Sequence, residues 1–401
     1  MPAADVIVVG GGPAGSATAA SLASRGVRVA LFERATFPRR KPCGDYLNPG
    51  CDAALARLGV RDAVAASGAR AVRGMHLVAP TGDGVTLPFE QRAGWDLPRR
   101  TLDDILLAHA ERCGTRVFQG ACVVGVARES GRVRVAVTHR PGAAPETYCA
   151  SLVVGADGLR SAVARIAGSG GAPRRGRYTV GGYLEGLAPL WAGHDPDVGE
   201  VHLGTDRYCG VAYLPGGLAN VTVAVDRSAL RSHHGPIDAW YWASLRAFPA
   251  LADRLAHAHQ VGAVAGSGPL SYWRRSCVAD GIVLVGDAAA YVDPLTGQGV
   301  YLALRGAELA AAAVLRALGG DGPVRRALAV YERARRELTG VFVISRILQL
   351  LAFRPGIAGP VVRRLRAQPE LGTALIAAIG NVTRPATVLR PGFIARTLGL
   401  V

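Results

Sequence analysis

The sequence predicts an α/β fold in which a parallel sheet with crossover helices is interrupted by a mostly antiparallel β insert and followed by a helical C-terminal region. Apolar, β-branched runs near residues 5, 152 and 281 each lead into a glycine-containing turn, as strands of parallel sheets do. Residues 172–275 show short alternating runs between Gly and Pro turns, which is typical of an antiparallel sheet. Residues 341–366 contain long apolar runs, which favour packed helices. At 401 residues the chain is long enough for two or three domains.

The first unit of this fold is at the N-terminus. Asp5–Val9 is predicted to form a buried parallel strand. It leads into Gly10–Gly15, which has the pattern G-x-G-x-x-G, and small residues then continue through Ala23 as in a helix packed closely on a sheet. A second strand, Val27–Phe32, ends in Glu33. This order of strand, glycine-rich turn, helix and acidic residue predicts a dinucleotide-binding, Rossmann-like unit.

Each residue type in the unit has a physical role. Gly10 permits the tight turn, Gly12 lets a pyrophosphate approach the backbone, and Gly15 lets the helix lie close to the strand. The helix N-terminus offers free N–H groups and the positive end of its dipole to phosphates. Glu33 would accept hydrogen bonds from a ribose diol and repel a 2′-phosphate, so FAD or NAD is favoured over NADP.

Two later segments indicate FAD. The strand Leu152–Gly155 leads into Asp157-Gly158, and the strand Gly281–Val285 leads into Gly286-Asp287. We expect Asp287 to bind a ribityl or ribose hydroxyl. The backbone N–H groups of Gly297–Val300, which precede an alanine-rich helix, would face a flavin carbonyl and stabilise the charge of the reduced ring.

These three motifs resemble, in content and order, the three fingerprints of the p-hydroxybenzoate hydroxylase-like flavoproteins, over roughly residues 5–340. Phe37–Gly44 also resembles the P-x-x-K-x-C-G segment of the geranylgeranyl reductase branch. Leu97–Asp103 resembles the Arg-x-x-x-Asp segment of the superfamily, whose Arg, here Arg99, contacts FAD.

The resemblance implies a GR2-type Rossmann-like FAD-binding domain that holds FAD without a covalent bond. The implied domains are a discontinuous FAD-binding domain at 1–75, 100–171 and 276–340, a substrate-binding domain at 76–99 and 172–275, and a helical C-terminal cap at 341–401. The residues expected around FAD are Gly10, Gly12, Pro13, Ala14, Gly15, Glu33, Arg34, Lys41, Pro42, Cys43, Gly44, Arg99, Val123, Asp157, Gly158, Gly286, Asp287, Pro294, Gly297, Gly299 and Val300. No metal site is expected.

Three residues are candidates for catalysis, each with a structural alternative. Cys43 would lie near the flavin, or it is an inert buried thiol. Asp45 would supply a proton, or it is an ordinary turn residue. Asp293 would be an acid near the flavin, or it caps the loop before Pro294.

The superfamily implies two reactions. A monooxygenase uses NAD(P)H to reduce FAD, forms a C4a-hydroperoxide with O₂ and hydroxylates its substrate, whereas a geranylgeranyl reductase-like enzyme reduces C=C bonds of an isoprenoid or other hydrophobic substrate. Prenyl reductases carry an aromatic G-Y-x-W-x-F-P strand, but this chain has Gly210 and Ala212 at the Tyr and Trp positions, followed by Tyr213 and Pro215. Small residues there open the substrate pocket, so the sequence favours a monooxygenase acting on an aromatic or lipid-like secondary metabolite.

Two further functions are less favoured by the sequence. A non-catalytic, flavin-binding redox sensor is the alternative from another class, and turnover with NAD(P)H would exclude it. Flavin halogenases share the scaffold, but the complete W-x-W-x-I-P motif is absent and the only lysine, Lys41, belongs to the cofactor side.

The composition limits which binding partners and which cellular location are expected. The formal net charge of +16 comes from scattered arginines without a nucleic-acid module, so no nucleic-acid partner is expected. The 7 cysteines contain no C-x-x-C pair, which is typical of a reducing cytoplasm. Residues 341–366 carry five arginines and no acid. This region is interpreted as a cap on the substrate domain, with peripheral membrane contact as the alternative.

Overall fold

The computed structural model describes residues 4–129, 131–140, 142–168, 176–189, 197–270, 272–274, 276–320 and 323–400. Two large sheets dominate it, and a group of helices follows at the C-terminal end.

The first sheet is the six-stranded sheet that contains the N-terminal strand, and we call it the cofactor sheet. All its neighbouring strands are parallel except the edge pair Val278–Ala279 and Ile282–Leu284. Its central strand, Val6–Val9, is buried throughout, as the continuous apolar run predicts. The strands, in spatial order, are Val278–Ala279, Ile282–Leu284, Leu152–Gly155, Val6–Val9, Val29–Glu33 and Arg116–Gln119.

Helices rich in small residues pack beside the cofactor sheet. Pro13–Ala23 contacts both Arg99–Arg112 and the long helix Gly299–Leu318, which in turn contacts Val324–Ala334. Nearly every residue of Pro13–Ala23 is buried, because Gly, Ala and Ser side chains let neighbouring backbones approach closely. A three-stranded antiparallel sheet packs against the same core through Val133, Val135 and Val137. Its strands are Cys122–Glu129, Arg132–Thr138 and Glu146–Ala150.

The second sheet is seven-stranded, and we call it the insert sheet. It is antiparallel except where Val198–Leu203 pairs in parallel with Gly74–Val78. Valines on one face pack against the buried Trp240 and Tyr241 of helix Ile237–Arg246. The strands, in spatial order, are His259–Ser267, Arg177–Glu185, Leu218–Asp226, Arg207–Tyr213, Val198–Leu203, Gly74–Val78 and Gly84–Pro88.

A small three-stranded sheet is formed by segments that alternate in the chain with strands of the two large sheets. Gly94–Asp96 is its central strand, flanked by Tyr46–Leu47 and Arg70–Val72.

Short elements complete the described parts of the chain. These are the helices Pro49–Leu58, Arg61–Ala66, Ala162–Ile166, Arg227–Arg231 and Pro249–Ala252, the strand pair Tyr272–Trp273 with Ala290–Tyr291, and the 3₁₀ turns Pro215–Gly217, Asp253–His257, Gly286–Ala288, Pro294–Thr296, Arg335–Leu338 and Pro385–Thr387.

The C-terminal region is helical. Thr339–Ala352, Pro355–Ala367, Pro369–Ile379 and Pro391–Leu398 follow one another, and their apolar residues form one cluster with the strand Gly84–Pro88. Within the described residues no single helix has the length and hydropathy of a membrane span, although the bent pair Val324–Ala352 with Pro355–Ala367 meets both measures together. The predicted α/β fold with a mostly antiparallel insert and a helical C-terminal region is confirmed.

Candidate active site

One large cavity, of about 710 Å³, brings together the motifs that the sequence singles out. It is bordered by the carboxyl ends of cofactor-sheet strands, by the insert sheet and by the C-terminal helices. Every residue expected around FAD borders it except Gly15. The motifs lie far apart in the chain, so their convergence is a property of the fold and not of any one segment.

The glycine-rich turn fits a pyrophosphate. Gly10 has φ +103°, and a Cβ there would lie 2.5 Å from the carbonyl oxygen of Ala156. A Cβ on Gly15 would lie 1.8 Å from the carbonyl oxygen of Gly10, so this glycine sets the distance between helix and strand. In contrast, a Cβ on Gly12 would meet nothing closer than a guanidinium nitrogen of Arg39 at 3.6 Å. The helix that begins at Pro13 has no side-chain cap, and its first residues, Pro13 and Ala14, border the cavity.

Glu33 holds the turn in this shape. Its carboxylate accepts hydrogen bonds from the backbone N–H of Gly11, at 2.7 Å, and of Ala35, at 2.9 Å. The side chain is buried yet borders the cavity. Each carboxylate oxygen has a second lone pair, so the predicted hydrogen bond to a ribose stays a prediction that this geometry allows.

Cationic side chains crowd the cofactor part of the cavity. Arg99 forms a bidentate pair with the buried Asp103, at 2.8 and 2.9 Å, and Arg39 approaches the same carboxylate at 3.1 Å. Lys41 borders the cavity beside Asp287, and burial lowers the pKa of its ammonium while Asp287 opposes that change. The cations outnumber the acids here, which fits a ligand that carries the negative charge of a diphosphate.

The second and third motifs supply further polar groups. The carboxylate of Asp157 caps the helix Ala162–Ile166, accepting from the backbone N–H of Ala162 at 2.6 Å and from the Ser161 hydroxyl at 2.5 Å. Burial raises the pKa of Asp287, and Lys41 opposes that rise.

The glycine-rich loop of the third motif leads into the long helix. Gly297 has φ +61°, and a Cβ there would lie 2.6 Å from the ring of Tyr46. The helix Gly299–Leu318 starts without a side-chain cap. Two uncapped helix N-termini therefore face one cavity, an arrangement that fits a dinucleotide with anionic groups at both positions. The residues present fit FAD.

Cys43 and Asp45, two of the catalytic candidates, differ in their position relative to the cavity. Cys43 borders the cavity, and burial raises the pKa of its thiol against the influence of Arg99. Asp45 is fully buried and does not border the cavity. Its carboxylate accepts from the Tyr183 hydroxyl at 2.7 Å, the Asn220 amide at 2.8 Å and the backbone N–H of Arg99 at 2.9 Å. Burial raises its pKa, but the three donors and its position behind the wall make it a structural link between the insert sheet and the helix that begins at Arg99.

The third catalytic candidate and the predicted substrate-pocket residues also differ in whether they border the cavity. Asp293 does not border the cavity; it is buried and accepts from the Tyr208 hydroxyl at 2.6 Å and from the backbone N–H of Leu295 at 3.1 Å, so its geometry is that of a loop cap. Of the substrate-pocket residues, Gly210 and Ala212 border the cavity. Tyr213 belongs to the insert core and donates its hydroxyl to Glu200 at 2.5 Å, and Pro215 lies beyond the cavity wall.

Two groups of cavity residues were not anticipated. The first is polar and comprises Asp96 and Glu200. The second is an apolar chamber, defined by Leu87 of the insert sheet and by C-terminal residues that line the same cavity. The C-terminal members are Ile344, Leu348, Val362, Leu365, Leu375 and Ile376. The apolar runs in the tail were the available signal, but nothing in them specifies which side chains face a cavity.

Comparisons with known proteins agree with this geometry. Residues 3–343 match a family model described as FAD binding domain. The digeranylgeranylglycerophospholipid reductase of Methanothrix thermoacetophila is 32% identical over 87% of this chain and 87% of its own. The menaquinone reductase of Mycobacterium tuberculosis is 35% identical over 77% of this chain and 76% of its own. Among solved structures, the myxobacterial chondrochloren halogenase, an FAD-dependent halogenase, superposes with a TM-score of 0.81 at 25% identity, over 99% of this chain and 95% of its own. The chain therefore belongs to the FAD binding domain family of p-hydroxybenzoate hydroxylase-like flavoproteins and is an FAD-dependent oxidoreductase.

Proposed function

We propose that this flavoprotein reduces a C=C bond of a long, apolar, isoprenoid-like substrate. The observation that carries the proposal is the apolar chamber, which is continuous with the cofactor part of the cavity. The sequence alone favours a monooxygenase, but the chamber and the reductase names of these two relatives, each above 30% identity, support the reductase instead.

The chamber suits a chain without polar groups. Its side chains come from helices Thr339–Ala352, Pro355–Ala367 and Pro369–Ile379 and are aliphatic. Each buried CH₂ of a ligand contributes about 0.8 kcal/mol, so an isoprenoid chain would bind through burial alone. Glu200 also borders the cavity, but its charge is matched by hydrogen bonds from Arg254 at 2.9 and 3.0 Å.

The residues of the chain would hold the cofactor and keep water out. FAD, when bound, supplies hydride transfer. Gly12, Arg39 and Lys41 would hold its diphosphate, and the uncapped N-terminus of Gly299–Leu318 would stabilise the negative charge of the reduced ring. The aliphatic chamber would exclude water from the reacting carbon atoms. We also propose NADH or NADPH as a transiently bound electron donor, because the sequence contains a single G-x-G-x-x-G.

The test is a single-turnover reduction. The protein is loaded with FAD, reduced anaerobically with NADPH, NADH or dithionite, and mixed with a menaquinone or with a geranylgeranyl lipid. We expect reoxidation of the flavin and a product heavier by two hydrogen atoms in mass spectrometry. Reoxidation by O₂ alone, with every alkene unchanged, would contradict the proposal.

The second candidate is a monooxygenase acting on an aromatic or lipid-like phenol. One observation favours it: a Cβ on Gly210 would have no neighbour within 4 Å, and Ala212 borders the same cavity, which leaves room for a ring. This reading predicts that a phenol accelerates NAD(P)H oxidation and that O₂ consumption matches hydroxylated product.

Halogenation has less support from this chain. Trp240 and Tyr241 are buried in the insert core, away from the cavity lining. Lys41, the only lysine, lies beside Asp287 in the cofactor part.

The C-terminal helices also support a proposal about location: a cytoplasmic protein in peripheral contact with an anionic membrane. Thr339–Ala352 exposes 41% of Val343 and 48% of Leu350. The following helix, Pro355–Ala367, carries Arg363, Arg364 and Arg366 and no acid of its own, although Arg363 pairs with Asp83 at 2.6 Å. Exposed apolar and cationic side chains together favour such binding. Co-sedimentation with vesicles of anionic lipid, lost in high salt, is expected; equal binding to neutral vesicles would contradict the electrostatic part.

A further inference from the structure

The structure contains a buried acid at the cavity that the sequence motifs do not mark. Asp96 borders the cavity and is 2% exposed. Among the described residues, its Oδ1 atom has no hydrogen-bond partner. A carboxylate oxygen that is buried without a partner is strongly unfavourable when charged, so the geometry favours the protonated form.

The position of Asp96 connects the two parts of the cavity. In the small sheet, Asp96 pairs with Tyr46, and the Tyr46 ring packs on Gly297 of the glycine-rich loop. Ala212 and Leu87 border the same cavity. Asp96 is thus linked through Tyr46 to the loop that would face the flavin, and it shares one cavity with the apolar chamber.

The surroundings of Asp96 favour its neutral form. Burial raises its pKa well above the ordinary value, and the negative charge of Asp45 adds to this rise. The charge of Arg70 and the backbone N–H of Tyr213 oppose it, but Arg70 is also within 3.5 Å of Asp197. Tyr46 is the other titratable side chain on a neighbouring strand, and burial raises its pKa as well.

We infer that Asp96 is a catalytic acid that delivers the proton in the reduction, an inference that rests on the proposed reductase function. The O–H bond of the Asp96 carboxyl breaks, and its proton forms a C–H bond with the π electron pair of the alkene. The neighbouring carbon receives the hydride that reduced FAD supplies and forms the second C–H bond. FAD is thereby oxidised by two electrons, which NAD(P)H replaces, and the Asp96 carboxylate regains a proton from water.

Asp96→Asn is the direct test, because the amide keeps the shape and removes the proton. We expect kcat for alkene reduction to fall by about 100-fold or more, while KM and the FAD content stay near those of the wild type. Asp104→Asn, the same substitution at an exposed residue of helix Arg99–Arg112, is the matched control and keeps wild-type kcat. Asp96→Glu, which retains an acid, recovers part of the loss.

A spectroscopic readout does not depend on turnover. The infrared difference between wild type and Asp96→Asn at neutral pH should contain the C=O band of a protonated carboxylic acid. In the wild type, this band should disappear with rising pH together with kcat, because ionised Asp96 has no proton to give. Where Asp96→Asn does not fold, Asp96→Glu supplies the difference spectrum that assigns the band to residue 96, and both titrations then use the wild-type protein.

The outcomes separate this inference from the proposed function. A wild type that reduces alkenes beside an Asp96→Asn variant of equal kcat overturns the role of Asp96 and leaves the reductase function intact. A band and a kcat profile that titrate at different pH values overturn it as well. A wild type that reduces no alkene overturns the reductase function, and the proton-donor role with it.

Discussion

Alanine substitutions at Gly12 and Gly15 should separate cofactor binding from folding within one turn. A methyl on residue 12 would meet only a guanidinium nitrogen of Arg39, at 3.6 Å, and the backbone there, with φ −73° and ψ −177°, suits alanine. The protein without cofactor should therefore lose less than about 1 kcal/mol of unfolding free energy, the cost of a poor N-cap. The same methyl occupies the space through which a pyrophosphate approaches the backbone.

Gly15→Ala, in contrast to Gly12→Ala, should act mainly on the stability of the protein. Its methyl would lie 1.8 Å from the carbonyl oxygen of Gly10 and 3.1 Å from the Cβ of Ala156. Helix and turn must separate by more than an ångström, which costs about 1–3 kcal/mol or more. Gly12→Ala, in contrast, removes one charge-assisted hydrogen bond to phosphate, worth about 1.5–3 kcal/mol. Its dissociation constant for FAD should rise by about 10- to 100-fold.

Two assays decide between these effects. Urea denaturation of the protein stripped of FAD measures the unfolding free energy, and quenching of flavin fluorescence measures the affinity. Gly356→Ala, in an exposed helical position with no neighbour within 4 Å, is the control and should be neutral or slightly stabilising. The reasoning is refuted if Gly12→Ala destabilises the stripped protein as much as Gly15→Ala does, or if it binds FAD like the wild type.

Three further predictions concern the cavity wall. Leu348→Trp, which fills the chamber, should raise KM more for long isoprenoids than for short ones, whereas Leu350→Trp on the exposed face of the same helix should change neither value; equal effects would exclude the chamber as the binding site. Burial opposes ionisation of Glu200, but hydrogen bonds from the His202 imidazole and the Arg254 guanidinium lower the pKa of its carboxyl to about 2. Ionised Glu200 therefore contributes its full share to the unfolding free energy above pH 4.5, and this share is lost as the pH falls toward 2. Between these values, urea denaturation should show that the unfolding free energy of the wild type falls by roughly 3 kcal/mol more than that of Glu200→Gln. Because burial raises the pKa of Cys43, iodoacetamide at neutral pH should label it more slowly than the exposed Cys122, as measured by mass spectrometry.

The glycine-rich parts of the site could be predicted because their physical requirements are local. A positive φ at Gly10 and a contact of 1.8 Å at Gly15 can each be met only by glycine, so the residue type reports the geometry. The strands beside these turns are continuous apolar runs that one segment of sequence reveals. For this reason the fold class and the convergence of the motifs on one cavity followed from the sequence.

The acids could not be assigned in the same way, because their surroundings come from distant segments. Asp45 meets Tyr183 and Asn220 of the insert sheet, and Asp96 meets Tyr46 through strand pairing. Sequence reasoning therefore proposed Asp45, which lies behind the wall, and did not mention Asp96, which borders the cavity. Tyr213 was wrongly assigned to the substrate pocket for a related reason. Successive side chains along a strand point to opposite faces, so Gly210 and Ala212 border the cavity while Tyr213 belongs to the insert core.

The apolar chamber has a consequence for how cofactor binding and substrate choice are distributed along the chain. The family model ends at residue 343, and the C-terminal part of the chamber wall begins at Ile344. The segments that would hold the cofactor therefore lie within the family model, whereas the chamber wall combines Leu87 from within it with the helices that follow it. Under the proposed function, substitutions among the C-terminal chamber residues would change which substrate is accepted. Substitution of Ser345, which contacts the Thr296 hydroxyl at 2.6 Å, would also alter the loop that faces the cofactor.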